Sequence, residues 1–284
     1  LNQLAGEADL GASGPLNGTA TLPASPVGQS GFTDLDKVPQ ELRAQVEAVA
    51  QLEILTPETP KVKAGNPSTS TQTDAKADPS KFEPNKQISR RDFARWLVAG
   101  NNRFNRDRPS NQIRLASEAS QPAFQDVPRT HPDFAVIQGL AEAGIIPSPL
   151  SGDSTTVTFR PEAALTRETL VTWKVPLDTR QPLPTATIAA ITETWGFQDA
   201  SRIDARALRS VLADFQNGDL ANIRRVYGFT TLFQPKKAVS RAEAAAALWY
   251  FGYQGEGRSA IDLLKPTPAP TASPQTTPTA TPDA

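Results

Sequence analysis

Phe159-Arg-Pro161-Glu-Ala-Ala-Leu-Thr166-Arg167 carries a pattern that this chain uses three times. Phe-x-Pro, followed seven residues after its Phe by Ser or Thr and then Arg, recurs as Phe82-Glu-Pro84 with Ser89-Arg90 and as Phe233-Gln-Pro235 with Ser240-Arg241. A second mark stands upstream of each copy: Phe32-Thr-Asp34, Phe124-Gln-Asp126 and Phe197-Gln-Asp199. The unit is therefore Phe-x-Asp, a helix-like stretch, Phe-x-Pro, Ser/Thr-Arg and a second helix. Such a unit buries its apolar face only against its neighbours. The expected fold is mainly α, with three tandem helix–loop–helix modules and disordered ends.

The first helices follow from periodicity. After Pro39, Leu42, Val46, Val49, Leu52 and Leu55 form one stripe that Pro57 should stop. Pro132 should open the second, carrying Phe134, Ile137, Leu140 and Ala141 to a left-handed cap at Gly144. The third runs from Ala205 to Phe215, and Leu220 to Tyr227 adds a helical turn found in no other unit. The second helices open at Ser89, Thr166 and Ser240. Glu243 completes a capping box with Ser240, Asp92 offers a shorter variant to Ser89, and Thr166 lacks the acid. Apolar stripes follow at Phe93, Trp96 and Leu97, at Leu170, Val171 and Trp173 up to Pro176, and at Ala244, Ala247, Leu248 and Phe251.

Boundaries follow: a disordered segment 1–31, module 1 over 32–105 with a disordered insertion at 57–80, and a linker at 106–123. Module 2 spans 124–178, a second linker 179–196, module 3 197–253, and a Pro/Thr-rich disordered tail 254–284. Charge nearly balances, 29 Lys and Arg against 30 Asp and Glu, which argues against nucleic acid as a partner. No apolar run approaches the roughly 20 residues of a membrane span. A start Met is absent, which suggests a processed chain, and the Pro/Thr tail leans toward an extracytoplasmic setting, the periplasm or cell envelope, with membrane association through a modified N-terminus as an option.

The recurrent arginine invites a chemical reading. It sits in the first turn of a helix, where the dipole disfavours a cation. Either it pairs with a neighbouring unit's acid, such as Asp34, Asp126 or Asp199, or it holds an anionic ligand beside the helix amides. Trp195, just before the third Phe-x-Asp, is a further candidate for lining a sugar groove.

On these residues the chain resembles the S-layer homology family, whose module reads Phe-x-Asp-Val, a helix ending in Gly-Ile-Ile, Phe-x-Pro, then Thr-Arg-Ala-Glu. Phe124-Gln-Asp-Val127, Gly144-Ile-Ile146, Phe159-Arg-Pro161 and Thr166-Arg167 match in module 2, and Ser240-Arg-Ala-Glu243 in module 3. The resemblance covers about residues 32–253 and is loosest at Leu52-Glu-Ile-Leu55. It implies a pseudo-threefold bundle whose grooves bind anionic, often pyruvylated, cell-wall polysaccharide, with Arg90, Arg167 and Arg241 on the sugar. The style is most similar to cyanobacterial envelope proteins.

Other classes have less to build on. His131 is the single histidine, cysteine is absent, and no Gly-x-Ser-x-Gly occurs, so an enzyme is not expected. Gly152-Asp-Ser154 lacks alternating oxygen donors, so neither a metal nor another cofactor is expected. The competing reading is a non-catalytic scaffold that docks on a membrane complex, using Trp195, Trp249, Tyr250 and Tyr253.

Overall fold

The computed structural model describes residues 31–59 and 78–265. Residues 1–30, 60–77 and 266–284, on which most of the expected disorder falls, lie outside the described residues. The fold is mainly helical. Among the described residues the helices are α1 (Gln40–Gln51), α2 (Arg90–Phe104), α3 (Phe134–Glu142), α4 (Arg167–Thr179), α5 (Ile188–Trp195), α6 (Ala205–Phe215), α7 (Asn222–Tyr227), α8 (Arg241–Ala247) and α9 (Ala260–Leu264). One antiparallel hairpin joins β1 (Tyr250–Tyr253) to β2 (Glu256–Ser259), with Tyr250 opposite Ser259. No described helix is long and apolar enough to cross a membrane.

Burial explains the helices. In α1 and just beyond it, Leu42, Val46, Val49, Leu52 and Leu55 are all buried, as their spacing requires. The helix does not run to Pro57, however. It ends at Gln51, and Glu53 takes the left-handed conformation at φ 59°, the place that Gly144 fills at φ 68° after α3. Leu52-Glu-Ile-Leu55 is thus the counterpart of Ala143-Gly-Ile-Ile146, with a carboxylate side chain at the position that favours glycine. Pro176 likewise fails to end α4, which continues to Thr179. It removes one amide in the last turns, and burial of Val175 and Leu177 outweighs that loss.

The Phe-x-Asp and Phe-x-Pro marks meet within each unit. Asp34 accepts from the amides of Phe82 (2.7 Å) and Glu83 (3.0 Å). Asp126 accepts from Phe159 (2.8 Å) and Arg160 (2.6 Å), and Asp199 from Phe233 (2.9 Å) and Gln234 (2.7 Å). In all three turns the middle residue is left-handed: Glu83 at φ 55°, Arg160 at 58° and Gln234 at 55°. The carboxylate supplies the acceptors such a turn needs, and the turn drops Phe82, Phe159 or Phe233 into the core at no more than 1 % exposure. Each packs against the Phe of its own Phe-x-Asp, with centroids 5.4–5.5 Å apart, tilted in the first two units and stacked in the third.

Between units the backbone closes a ring. Ile88 donates to the Val239 carbonyl (3.0 Å), Val239 to Leu165 (2.8 Å) and Leu165 to Ile88 (2.9 Å). Immediately after, the first-turn amides of each second helix reach the next unit. Arg90 and Arg91 donate to Ala163 and Pro161, Arg167 and Glu168 to Lys237 and Pro235, and Arg241 and Ala242 to Lys86 and Pro84. These helix amides run unit 1 to 2, 2 to 3 and 3 back to 1, opposite to the ring of Ile88, Val239 and Leu165.

The chain departs from the sequence boundaries in several places. Linker 179–196 contains α5, and the segment beyond Tyr253 contains β2 and α9 rather than a tail. Linker 106–123 is anchored: the Asn102 side chain accepts from Ile113 N (2.8 Å) and donates to Ile113 O (2.9 Å). Tyr250 and Phe251 belong to β1, not to a continued α8 stripe.

Candidate functional site

The three recurrent arginines sit at the unit junctions. Arg90 Nε donates to the Phe159 carbonyl at 2.7 Å, an Arg167 Nη to the Phe233 carbonyl at 3.1 Å, and Arg241 Nε to the Phe82 carbonyl at 2.6 Å. Each meets a backbone carbonyl of the next unit, and two of them also meet an acid there, Arg167 with Glu243 at 3.3 Å and Arg241 with Asp92 at 4.0 Å, though none pairs with Asp34, Asp126 or Asp199. Asp34, Asp126 and Asp199 are occupied by turn amides of their own units, so the arginine finds a neighbouring backbone carbonyl instead. Nor are the helix amides free for an anion. The first two are taken by the neighbouring unit and the third by the Ser or Thr cap: Asp92 N on Ser89, Thr169 N on Thr166 and Glu243 N on Ser240.

Aromatic faces complete each arginine site. The Arg90 guanidinium carbon lies 5.0 Å from the Phe159 ring centre and 4.8 Å from that of Trp173. Arg241 lies 5.4 Å from Phe82 and 4.7 Å from Trp96. Arg167 has Tyr227 at 3.9 Å. A guanidinium against a ring face and a carbonyl is held by cation–π attraction and a charge-assisted hydrogen bond together.

The three differ in exposure. Arg241 has none: it also reaches the Thr56 carbonyl and lies 4.0 Å from Asp92, and burial lowers its pKa. Arg167 is buried and donates to Glu243 at 3.3 Å. Arg90 is half-buried and borders a cleft of about 120 Å³ whose charged lining also includes Arg206 and the carboxylates Glu168, held by Lys236, and Asp204. Burial, with Arg160 nearby, lowers its pKa to about 10, so it stays charged at neutral pH. Of the predicted ligand-binding arginines, Arg90 alone presents its charge to a substantial opening.

The other predicted residues divide clearly. Ser89, Thr166, Ser240 and Glu243 cap as expected, and Glu243 returns a bond to Ser240 N at 2.7 Å. Asp92 does not close a box on Ser89. Its carboxylate turns to Arg95, because Arg95 and Arg241 draw it along the helix. Trp195 is placed away from the Arg90 cleft, stacked on Phe197 at 5.1 Å with its indole N–H on the Val211 carbonyl at 2.9 Å. Sequence reasoning missed Arg91, which is almost fully buried and pairs with Asp133 (2.9 Å) and Glu162 (2.5 Å) across the first junction. The adjacent pair Arg90-Arg91 was the available signal. His131 accepts from Asp133 N through Nδ1 (3.1 Å), and burial lowers its pKa. Compared with known protein families and with curated proteins, the chain matches none.

Proposed function

We propose that this chain is a non-catalytic cell-envelope protein of S-layer homology type, which holds an anionic wall saccharide in the cleft beside Arg90. The observation that carries this reading is the partly buried Arg90 side chain at the edge of that cleft. One edge of its guanidinium is fixed by the Phe159 carbonyl and the Phe159 and Trp173 rings, and no described acid forms a salt bridge with it, Asp126 acting on it only at longer range. A carboxylate, such as a pyruvyl ketal, matches the remaining guanidinium donors, and the site loses little conformational freedom on binding because Arg90 is already positioned. Arg167 and Arg241 act in this reading as junction staples that hold the cleft's shape. The setting is extracytoplasmic.

Retention on isolated cell-wall sacculi tests the reading. The intact protein should sediment with sacculi and not with sacculi stripped of anionic polysaccharide, and Arg90→Ala should abolish sedimentation while leaving the helical circular dichroism unchanged. Failure of the intact protein to bind sacculi would turn the search toward docking on a membrane protein complex.

A further inference from the structure

The third unit carries an aromatic cage that core packing does not require. After α7 the chain turns at Gly228, whose φ is 71°, and leaves Phe229 88 % exposed. Beside it the Arg224 guanidinium carbon lies 5.3 Å from the ring centre of Trp195, 5.0 Å from Phe215 and 5.8 Å from Phe229. Among the described residues no acid and no hydrogen-bond acceptor engages the Arg224 side chain, unlike Arg225, which reaches the Ala246 carbonyl at 2.9 Å. Trp195 is locked by its bond to Val211 and its stack on Phe197. Trp195, Arg224 and Phe229, with Thr194, Thr230 and Thr231, line a cavity of about 230 Å³ that shares no lining residue with the Arg90 cleft, and Phe215 backs Arg224 from outside that lining. Module 2 has Pro122 where this unit has Trp195, and no counterpart of α7.

We propose that this cavity is a second binding site, which takes a single sugar ring bearing a carboxylate. Ring faces pack against the C–H face of a pyranose, and an arginine without an acid partner supplies the fork for its carboxylate. At the rim the Thr231 hydroxyl suits a sugar oxygen, whereas the Thr194 hydroxyl, which donates to the Ala190 carbonyl (2.7 Å), and the Thr230 hydroxyl, which donates to the Leu232 carbonyl (3.0 Å), can only accept from a sugar hydroxyl. The cavity lies below the usual 300–1,000 Å³ of small-molecule sites, roughly one ring in size. A protein partner would cover on the order of 800 Å² of each surface, far more than this opening offers. The proposal rests on the reading of the protein as a saccharide binder but uses different residues, so the two can fail separately.

The test is a titration of the full ¹⁵N-labelled chain with methyl glucuronide, methyl glucoside and benzoate, following the indole N–H resonance of Trp195 assigned through Trp195→Phe. Methyl glucuronide should shift that resonance saturably. Methyl glucoside should bind about tenfold or more weakly, about 1.4 kcal/mol, for want of the carboxylate. Arg224→Gln and Phe229→Ala should each weaken the glucuronide by a similar factor, and Phe229→Ala is safe for folding because that ring is exposed. Arg90→Ala should titrate as the unaltered chain does, even though it no longer sediments with sacculi. No saturable shift with methyl glucuronide, an undiminished shift in Phe229→Ala, or benzoate binding as tightly as the glucuronide would overturn the proposal.

Discussion

Arg241 is a cation without exposed surface, held by the carbonyls of Phe82 and Thr56 and by two rings, with Asp92 at 4.0 Å and, further off, Glu58 and Glu83 as countercharges. Removing it strands those acceptors and empties a packed site, so Arg241→Met should destabilise the chain by about 3 kcal/mol. Arg90→Met, at a half-exposed copy of the same position, should cost about 1 kcal/mol. Urea denaturation of the two variants checks the ranking, and equal losses would contradict it. Lys174 offers a second test. It is fully buried against Asp178, the Tyr250 carbonyl and the Phe251 ring, and burial lowers its pKa from 10.5 to about 8 even though Asp178 opposes the shift. Between those two values the unfolded chain keeps a proton that the folded one has released, so this group makes stability rise with pH from about 8 toward 10.5, and below about 8, where both states hold the proton, it adds no pH dependence. Tyr227, whose pKa burial raises, acts in the opposite sense above pH 10. The difference in stability between the unaltered chain and Lys174→Met, measured across pH 7 to 10, isolates the lysine: a difference independent of pH would show that it does not titrate there. That the arginines recur was legible in the sequence. What they bind was not, because backbone carbonyls leave no mark in a string of side chains.

At the scale of the element, α7 repairs a gap in the repeat. Trp96 in α2 and Trp173 in α4 give Arg241 and Arg90 their larger ring faces, but the corresponding residue of α8 is Ala247. Tyr227 at the end of α7 fills that role over Arg167. The alanines at 244–247, all fully buried, let other elements approach α8 closely. The Tyr227 hydroxyl is buried without a hydrogen-bond partner, so the ring alone is useful. Tyr227→Phe should therefore leave stability unchanged or raise it by up to about 1 kcal/mol, whereas Tyr227→Ala should lower it by about 3 kcal/mol; thermal melts decide. The periodic helices α1 and α3 were readable because their buried residues recur at helical spacing. In α6 only Val211 of the expected stripe is buried, Leu208, Leu212 and Phe215 are half-buried, and the inner face is Ala207, Ser210, Val211 and Asp214. By contrast, α5 fully buries only Ile191 and so shows no stripe, and β1 was hidden because Phe251 continues the period of α8. Gln254-Gly255, both left-handed at φ 49° and 85°, was the hairpin signal between them.

For the whole molecule, the ring of Ile88, Leu165 and Val239 makes the units interdependent. Open solenoids need capping repeats at their ends, whereas each unit here has a neighbour on both sides. Loss of one Phe-x-Asp carboxylate should then be felt around the ring: Asp199→Ala, which strands the Phe233 and Gln234 amides, should speed hydrogen exchange at Ile88 in unit 1 as well as at Val239. Protection lost in unit 3 alone would mean the units open independently. The ring also orders events during synthesis. Arg241 lies 159 residues after Phe82 and 185 after Thr56, so the pocket and the backbone edge at Pro84 and Lys86 are made well before α8 and stay vacant until it follows. The last unit is a latch. A copy clipped before α8 keeps that edge open, and the α8 of an intact neighbour fits it, so truncated chains carry within themselves the means of entangling complete ones.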